Sequence, residues 1–371
     1  MRKGALLLFF LAFLLVGYEV TGQKFVNEFL NIGAGARAHG MSGAVVASTS
    51  DGTAGVWNPA GLTNMDVSLQ VNAMHAEWFA GVANYDYMSV AKRFKGENNA
   101  YGALSIIRFG VDNIPYTLNL IGPDGSVNYD DVTSFSAVDY AVFLSYGRSI
   151  FSDNLRLGGS VKIINRSVGA FANAWGFGAD LGLTYHLGKF TFAGMAQDIT
   201  TTYNTWSINF SEEEKAVFAA TGNDIISSST EVALPKLTLG AAYDSGKNWD
   251  KDSVFARAKF TYVIEANVRL STDGRASGIG GQNFNIDPAI GAELGYKDLV
   301  FVRAGIGDVE RKLNSINGSR DLSLKPNVGL GLQLGRFAVD YALTNIGALG
   351  QENGALYSHI FSLRLNFNPK A

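Results

Sequence analysis

Apolar residues recur at every second position through most of this chain. In residues 322–334, Leu322, Leu324, Pro326, Val328, Leu330, Leu332 and Leu334 alternate with Ser323, Lys325, Asn327, Gly329, Gly331 and Gln333. A period of two over this length predicts a strand with one apolar and one polar face. It also exceeds the five or six residues usual in soluble proteins. The pattern returns in 175–187, where Trp175, Phe177, Leu181, Leu183, Tyr185 and Leu187 oppose Asp180, Thr184 and His186. In 254–270, Phe260, Tyr262, Ile264, Val268 and Leu270 oppose Arg257, Lys259, Glu265, Asn267 and Arg269. At the end of the chain, Phe361, Leu363, Leu365 and Phe367 oppose Ser362, Arg364 and Asn366. About fourteen such segments are predicted, near 67–79, 81–94, 99–110, 138–149, 155–166, 175–187, 189–198, 235–245, 253–270, 284–297, 299–307, 322–335, 336–345 and 356–367. In the third, both faces are apolar, with Leu104 and Ile106 competing with Tyr101, Ala103 and Ile107.

The connections alternate in length. Short turns are expected at 95–98, 152–154, 188–189, 245–252, 297–298 and 335–336; mostly longer loops at 111–137, 167–174, 199–234, 271–283, 308–321 and 346–355. Short turns on one side and long loops on the other mark an outer-membrane barrel, and aromatic residues near the strand ends fit its girdles. The fold class is therefore all-β, a transmembrane antiparallel β-barrel. An even strand count places both chain ends in the periplasm. Two loops carry structure of their own. One holds the Gly122-Pro123-Asp124-Gly125 turn and the pair Asp130-Asp131. The other holds a helix over 211–220, introduced by a capping box of Ser211 and Glu214. It is large enough to act as a lid or docking surface, or to cover the barrel mouth.

Composition narrows the reading. A chain 47% hydrophobic and only 17% charged, with 43 Gly, suits many strands and tight turns. A net charge of −3 without a basic stripe argues against nucleic acid. No Cys is present, so there is no disulfide, thiol nucleophile or Cys-held metal. Arg2, Lys3 and the apolar run 4–16 read as a leader, with cleavage before Gln23. The run is about 13 residues, short of the ~20 that a spanning helix needs. His39, His75, His186 and His359 are not spaced as metal ligands, and neither HExxH nor GxSxG occurs. No enzyme, cofactor or metal is expected. The polar faces mix Arg156, Lys162, Arg257, Lys259, Arg269, Lys325 and Arg364 with Asp180, Asp244, Glu265, Glu293 and Asp340. Such charges either pair with one another inside the lumen or line a solute path.

Residues 31–62 break the alternation. They are rich in Gly and Ala, and carry Arg37, Trp57 and an Asn58-Pro59-Ala60 turn. They read as a plug inside the barrel or across one mouth, giving a division into a signal peptide (1–22), a plug or hatch (23–66) and a barrel (67–371). Arg37 is available to acidic lumen positions, and Arg37, Trp57, Asn58 and Pro59 are the plug-fixing candidates. Trp206, Phe210 and Phe218 are the candidate partner contacts in the long loop, because aromatic anchors dominate interfaces.

Glu28-Phe29-Leu30, Gly35-Ala36-Arg37-Ala38, Gly40-Met41-Ser42-Gly43-Ala44, Asp51 and Trp57-Asn58-Pro59-Ala60-Gly61-Leu62 resemble the PorV/PorQ family of the type IX secretion system. Asp198-Ile199-Thr200 and Asn204-Thr205-Trp206 resemble its mid-barrel loop. These are Bacteroidetes outer-membrane proteins similar in fold to the long-chain fatty-acid transporter FadL. The resemblance implies a FadL-like barrel of about 14 strands and a binding role in protein transport. Its implied partners are a SprA-like translocon, the C-terminal domains of secreted cargo, or a surface protein, with outer-membrane lipid around the wall. Ile32-Gly33-Ala34-Gly35 departs from the typical PorV motif and points to a paralogue. The alternative is a FadL-like transporter of hydrophobic compounds.

Overall fold

The computed structural model describes residues 26–79, 81–95, 99–118, 120, 126–220, 228–246, 259–272, 279–280, 284–313, 320–344 and 358–368. The expected leader, the 122–125 turn and Arg257 lie outside them. The strands are β1 (Leu69–Trp78), β2 (Ala83–Arg93), β3 (Tyr101–Tyr116), β4 (Thr133–Ile150), β5 (Ser152–Val168), β6 (Ala172–Leu187), β7 (Phe190–Gln197), β8 (Thr202–Ile208), β9 (Ser228–Ala233), β10 (Lys236–Asp244), β11 (Phe260–Ser271), β12 (Ile279–Gly280), β13 (Asn285–Tyr296), β14 (Val300–Leu313), β15 (Arg320–Leu334), β16 (Phe337–Thr344) and β17 (Ser358–Phe367). Fourteen of them close a ring through β1 to β7, β10, β11 and β13 to β17. Each neighbour is antiparallel, and β17 pairs back onto β1 from Leu69↔Phe367 to Glu77↔His359. Closure leaves no free edge around the ring, which is the condition for crossing a membrane with strands.

The two faces of the wall separate as their period demands. On β6, Trp175, Phe177, Leu181, Leu183, Tyr185 and Leu187 are exposed outward, whereas Asp180 and Thr184 are buried toward the lumen. On β15, Val328, Leu330, Leu332 and Leu334 face out, and Gly329 and Gly331 face in. The third strand is resolved by its two surroundings. Leu104 and Ile106 form part of the outer belt, while Tyr101, Ala103 and Ile107 are buried inside the barrel against apolar neighbours.

Some connections differ from expectation. The β5–β6 connection, read as an eight-residue loop, spans only 169–171, because both strands run on beyond the apolar belt. The long loop 199–234 contains a hairpin of β8 and β9 as well as the expected helix. β7 pairs with the lower half of β6 up to Leu181↔Ala196, and β8 continues along its upper half from Phe177↔Tyr203. Between them, Asp198 and Thr201 adopt left-handed backbone (φ 55° and 59°) and interrupt the ladder. The returning chain is interrupted at the same height. β9 pairs with β8, residues 234–235 intervene, and β10 pairs with β7. Pro235 has no N–H to give to a ladder at that point.

Candidate functional site

The N-terminal segment comprises short helices α1 (Glu28–Ile32), α2 (Ala36–Gly40) and α3 (Ala54–Trp57), followed by a 3-10 turn (Pro59–Asn64). It lies in the lumen. Small residues are used where it touches the wall. A Cβ at Gly147 on β4 or Gly158 on β5 would strike Pro59, and one at Gly182 on β6 would strike Asn58. Across the lumen, Gly291 on β13 and Gly305 on β14 leave room for Met41, and Gly329 on β15 faces Gly40.

Inside the segment, the Trp57 indole donates to the Ala34 carbonyl at 2.7 Å and covers Gly33, whose φ of 85° suits glycine. Asn58 caps the 3-10 turn by accepting from the Ala60 N–H (3.1 Å), while its amide donates to the Val46 carbonyl (2.9 Å). Pro59 is the first residue of that turn, where a missing N–H costs nothing. Arg37 reaches the wall. Its Nε and a terminal nitrogen donate to the two carboxylate oxygens of Glu293 at 3.0 and 3.2 Å. Trp57, Asn58 and Pro59 are consecutive and bond within the segment, whereas Arg37 bonds to the wall and to Ser48.

The wall supplies further charges. Arg303 on β14 joins Glu293 to Asp340 on β16, with 2.6 Å to the latter. Glu265 on β11 is fully buried and accepts two backbone N–H groups of the segment, from Ala47 (2.7 Å) and Ser48 (2.8 Å). Arg364 on β17 donates to Asp51 at 3.2 Å. A separate buried cluster spans the interruption after β7. Lys162 lies 2.8 Å from Asp180 and 2.6 Å from Asp198, and the Asp198 N–H donates to Asp180. Arg303 and Asp198 were not among the expected charges. Arg303 sits at the inward parity of its strand, opposite Val302 and Ala304, and that parity was the available signal.

On the β1–β4 side apolar packing is joined by hydrogen bonds from the Gly52 N–H to Gln70 (2.7 Å), from the Tyr87 hydroxyl to the Gly52 carbonyl (2.8 Å) and from the Tyr101 hydroxyl to the Met65 carbonyl (2.6 Å). Phe29 and Val56 pack with Met74, Tyr85, Tyr87, Ile107, Phe143 and Ile164. His39 stands edge-on to Trp78 at 5.9 Å, and burial holds its imidazole down at about 4. A cavity of about 60 Å³ remains between the segment and β7, β10, β11, β13 and β14, bordered by Leu30, Val46, Trp57, Met195, Asn267 and Arg269. That is room for a few waters; an apolar cavity that takes benzene is about 150 Å³.

The loop candidates divide into two groups. Phe210 stacks on Phe171 at 6.2 Å and meets Phe218 at 4.8 Å edge to face. Phe171 in turn contacts Phe135 and Tyr116, so these rings fasten helix α4 (Glu212–Ala220) to the upper rim. Its capping box is formed, with Ser211 N–H donating to Glu214 (2.7 Å) and Glu214 N–H donating to the Ser211 hydroxyl (3.2 Å). Trp206 is elsewhere. It lies 5.2 Å from the Arg166 guanidinium, which pairs with Asp139 and Glu231.

A closed fourteen-strand barrel with an apolar outer belt defines an outer-membrane protein. Among solved structures the fold is similar to the toluene transporter TodX of Pseudomonas putida, with a TM-score of 0.54 and 13% identity over 90% of this chain and 98% of that one. It is similar also to the toluene transporter TbuX of Ralstonia pickettii (0.53, 15%, 91% and 99%) and to a FadL homologue of Pseudomonas aeruginosa (0.50, 12%, 90% and 98%). No protein-family model and no curated protein sequence matches the chain.

Proposed function

We propose that this chain is a non-enzymatic, gated outer-membrane transporter of small hydrophobic compounds, with residues 23–66 as the gate and 67–371 as the barrel. The observation carrying this reading is a lumen occupied by a segment that, beyond its link to β1, contacts the wall only noncovalently, in the fold of two toluene transporters. The cavity of about 60 Å³ beside the segment is too small for an aromatic ring, so entry there requires the segment to shift. Asn327 donates to the Ser42 hydroxyl at 2.8 Å, which suits a tether between segment and wall. In a Ser42→Cys, Asn327→Cys variant, oxidation should abolish toluene uptake by cells and reduction should restore it. Equal uptake by cells with and without the protein would remove the proposal.

A second reading is favoured by the hairpin of β8 and β9 with helix α4, a structured platform above the rim. It is a binding protein of the type IX secretion system that docks secreted cargo or a SprA-like translocon. The motif shared by residues 28–62 supports it. Recovery of such a partner with the tagged protein in mild detergent, and no toluene uptake, would place it first.

A further inference from the structure

At the short-turn end of the barrel, every hairpin of the fourteen-strand ring carries a cation with no ion pair among the described residues. Lys92 precedes the β2–β3 turn and Arg148 the β4–β5 turn. Lys189 lies between β6 and β7, Lys259 at the foot of β11, Lys297 between β13 and β14, and Arg336 between β15 and β16. Five are exposed and Lys189 is half-buried. All six adjoin the lower edge of the apolar belt. Val90 is two residues above Lys92 on the same face, and Tyr146 two above Arg148. Exposed Leu187 and Phe190 bracket the turn at Lys189, and exposed Leu334 and Phe337 bracket the turn at Arg336. The Lys297 ammonium is 4.9 Å from the centre of the Tyr296 ring, which Phe260, next to Lys259, meets at 4.9 Å. Aliphatic stems can thus lie on the wall while the charges reach the water's edge.

The charge at this end is lopsided. Asp66, Asp153, Asp244 and Asp298 are the carboxylates described there, against these six cations and Arg93, Lys95 and Arg156. Exposed carboxylates stand at the loop end instead, at Glu77, Asp112, Asp130, Glu212 and Asp308. The six cations also run the whole way round. Fourteen strands about 4.8 Å apart and tilted about 40° give a circumference of about 90 Å, or about 15 Å per cation. That exceeds the screening length of about 8 Å at physiological salt, so each charge acts separately. A docked protein would meet only the cations on one side, whereas the headgroups of a lipid leaflet meet them all.

Short turns mark the periplasmic end of such a barrel. We infer that this ring binds the phosphate groups of anionic phospholipids in the periplasmic leaflet, with their acyl chains on the belt above. Spin-labelled phosphatidylglycerol or phosphatidylcholine, added to the full-length chain in phosphatidylcholine vesicles, reports which lipid is held against the wall. Phosphatidylglycerol should be favoured, with each cation worth about fivefold at its own position. Lys189→Gln, Lys297→Gln and Arg336→Gln should each lower the preference by a similar step, and replacing all six cations with Gln should abolish it. Asp112→Asn with Asp130→Asn at the loop end should leave it unchanged. Heat-modifiable mobility on gels checks that each barrel has folded, and the triple turn variant serves if the sixfold one fails this check. Equal retention of the two lipids by folded protein would overturn the inference, as would a preference that survives in the sixfold variant. So would a photocrosslinker at position 189 that captures an acidic protein and no lipid in native membranes.

Discussion

The two sides of the lumen hold the N-terminal segment by different mixtures of contacts, neutral on one and charged on the other. Toward β1–β4, Phe29 and Val56 sit among Met74, Tyr85, Ile107 and Phe143, and neutral groups add hydrogen bonds, from the Gly52 N–H to Gln70 and from the Tyr87 hydroxyl to the Gly52 carbonyl. Toward β11–β17, Arg37, Ala47, Ser48 and Asp51 meet Glu293, Glu265 and Arg364 through directed bonds. Burying apolar area tolerates small slips, since it depends on surface and not on angle. A buried carboxylate that accepts two named backbone N–H groups tolerates none. One side therefore combines apolar bulk with neutral hydrogen bonds, and the other adds bonds to charged groups.

The sharpest way to break this contrast is Arg303→Ala. It leaves Glu293 and Asp340 buried without their shared cation, a loss of about 3–5 kcal/mol. Thermal unfolding in detergent should fall accordingly, and protease should reach the segment. If Arg303→Ala costs no more than a surface change, the charged side is not what fixes the register. Ile107→Ala tests the other side. It should cost about 2–4 kcal/mol as a cavity, while the segment keeps its protection at moderate temperature. Early protease cleavage of the segment in this variant would erase the distinction.

The third test is pH. His39 ordinarily titrates near 6.5, but in place it stays neutral down to about 4. A released segment takes up the proton first, so the hold is complete above about pH 6.5 and weakens as pH falls toward 4, by up to about 3 kcal/mol. Segment release should rise over that window, and His39→Gln should flatten the dependence. An unchanged profile in His39→Gln would assign it to other groups.

The strands were legible because period two survives burial on both sides of a thin wall. β3 was ambiguous for a reason now visible: Ile107 meets Phe29 inside while Ile106 meets lipid outside. The hairpin of β8 and β9 was hidden because Thr202 and Asn204 are polar on their buried face, so no apolar stripe announced it. Arg37 could be matched to an acidic lumen, but its choice of Glu293 over Glu265 depends on how α2 is oriented, which no local pattern encodes. Phe210 and Phe218 read, with Trp206, as partner contacts; the packing of Phe210 on Phe171 and of Phe218 on Phe210 arises from a loop folding back onto its own rim.

The closing pair of the ring has a consequence for how the molecule is made. β1 follows directly from the N-terminal segment, yet half of its ladder is with β17, the last strand to be synthesised. The enclosure is thus completed only when β17 reaches β1. The glycines at 147, 158, 291, 305 and 329 leave the clearance that lets the wall so closed lie against its own beginning.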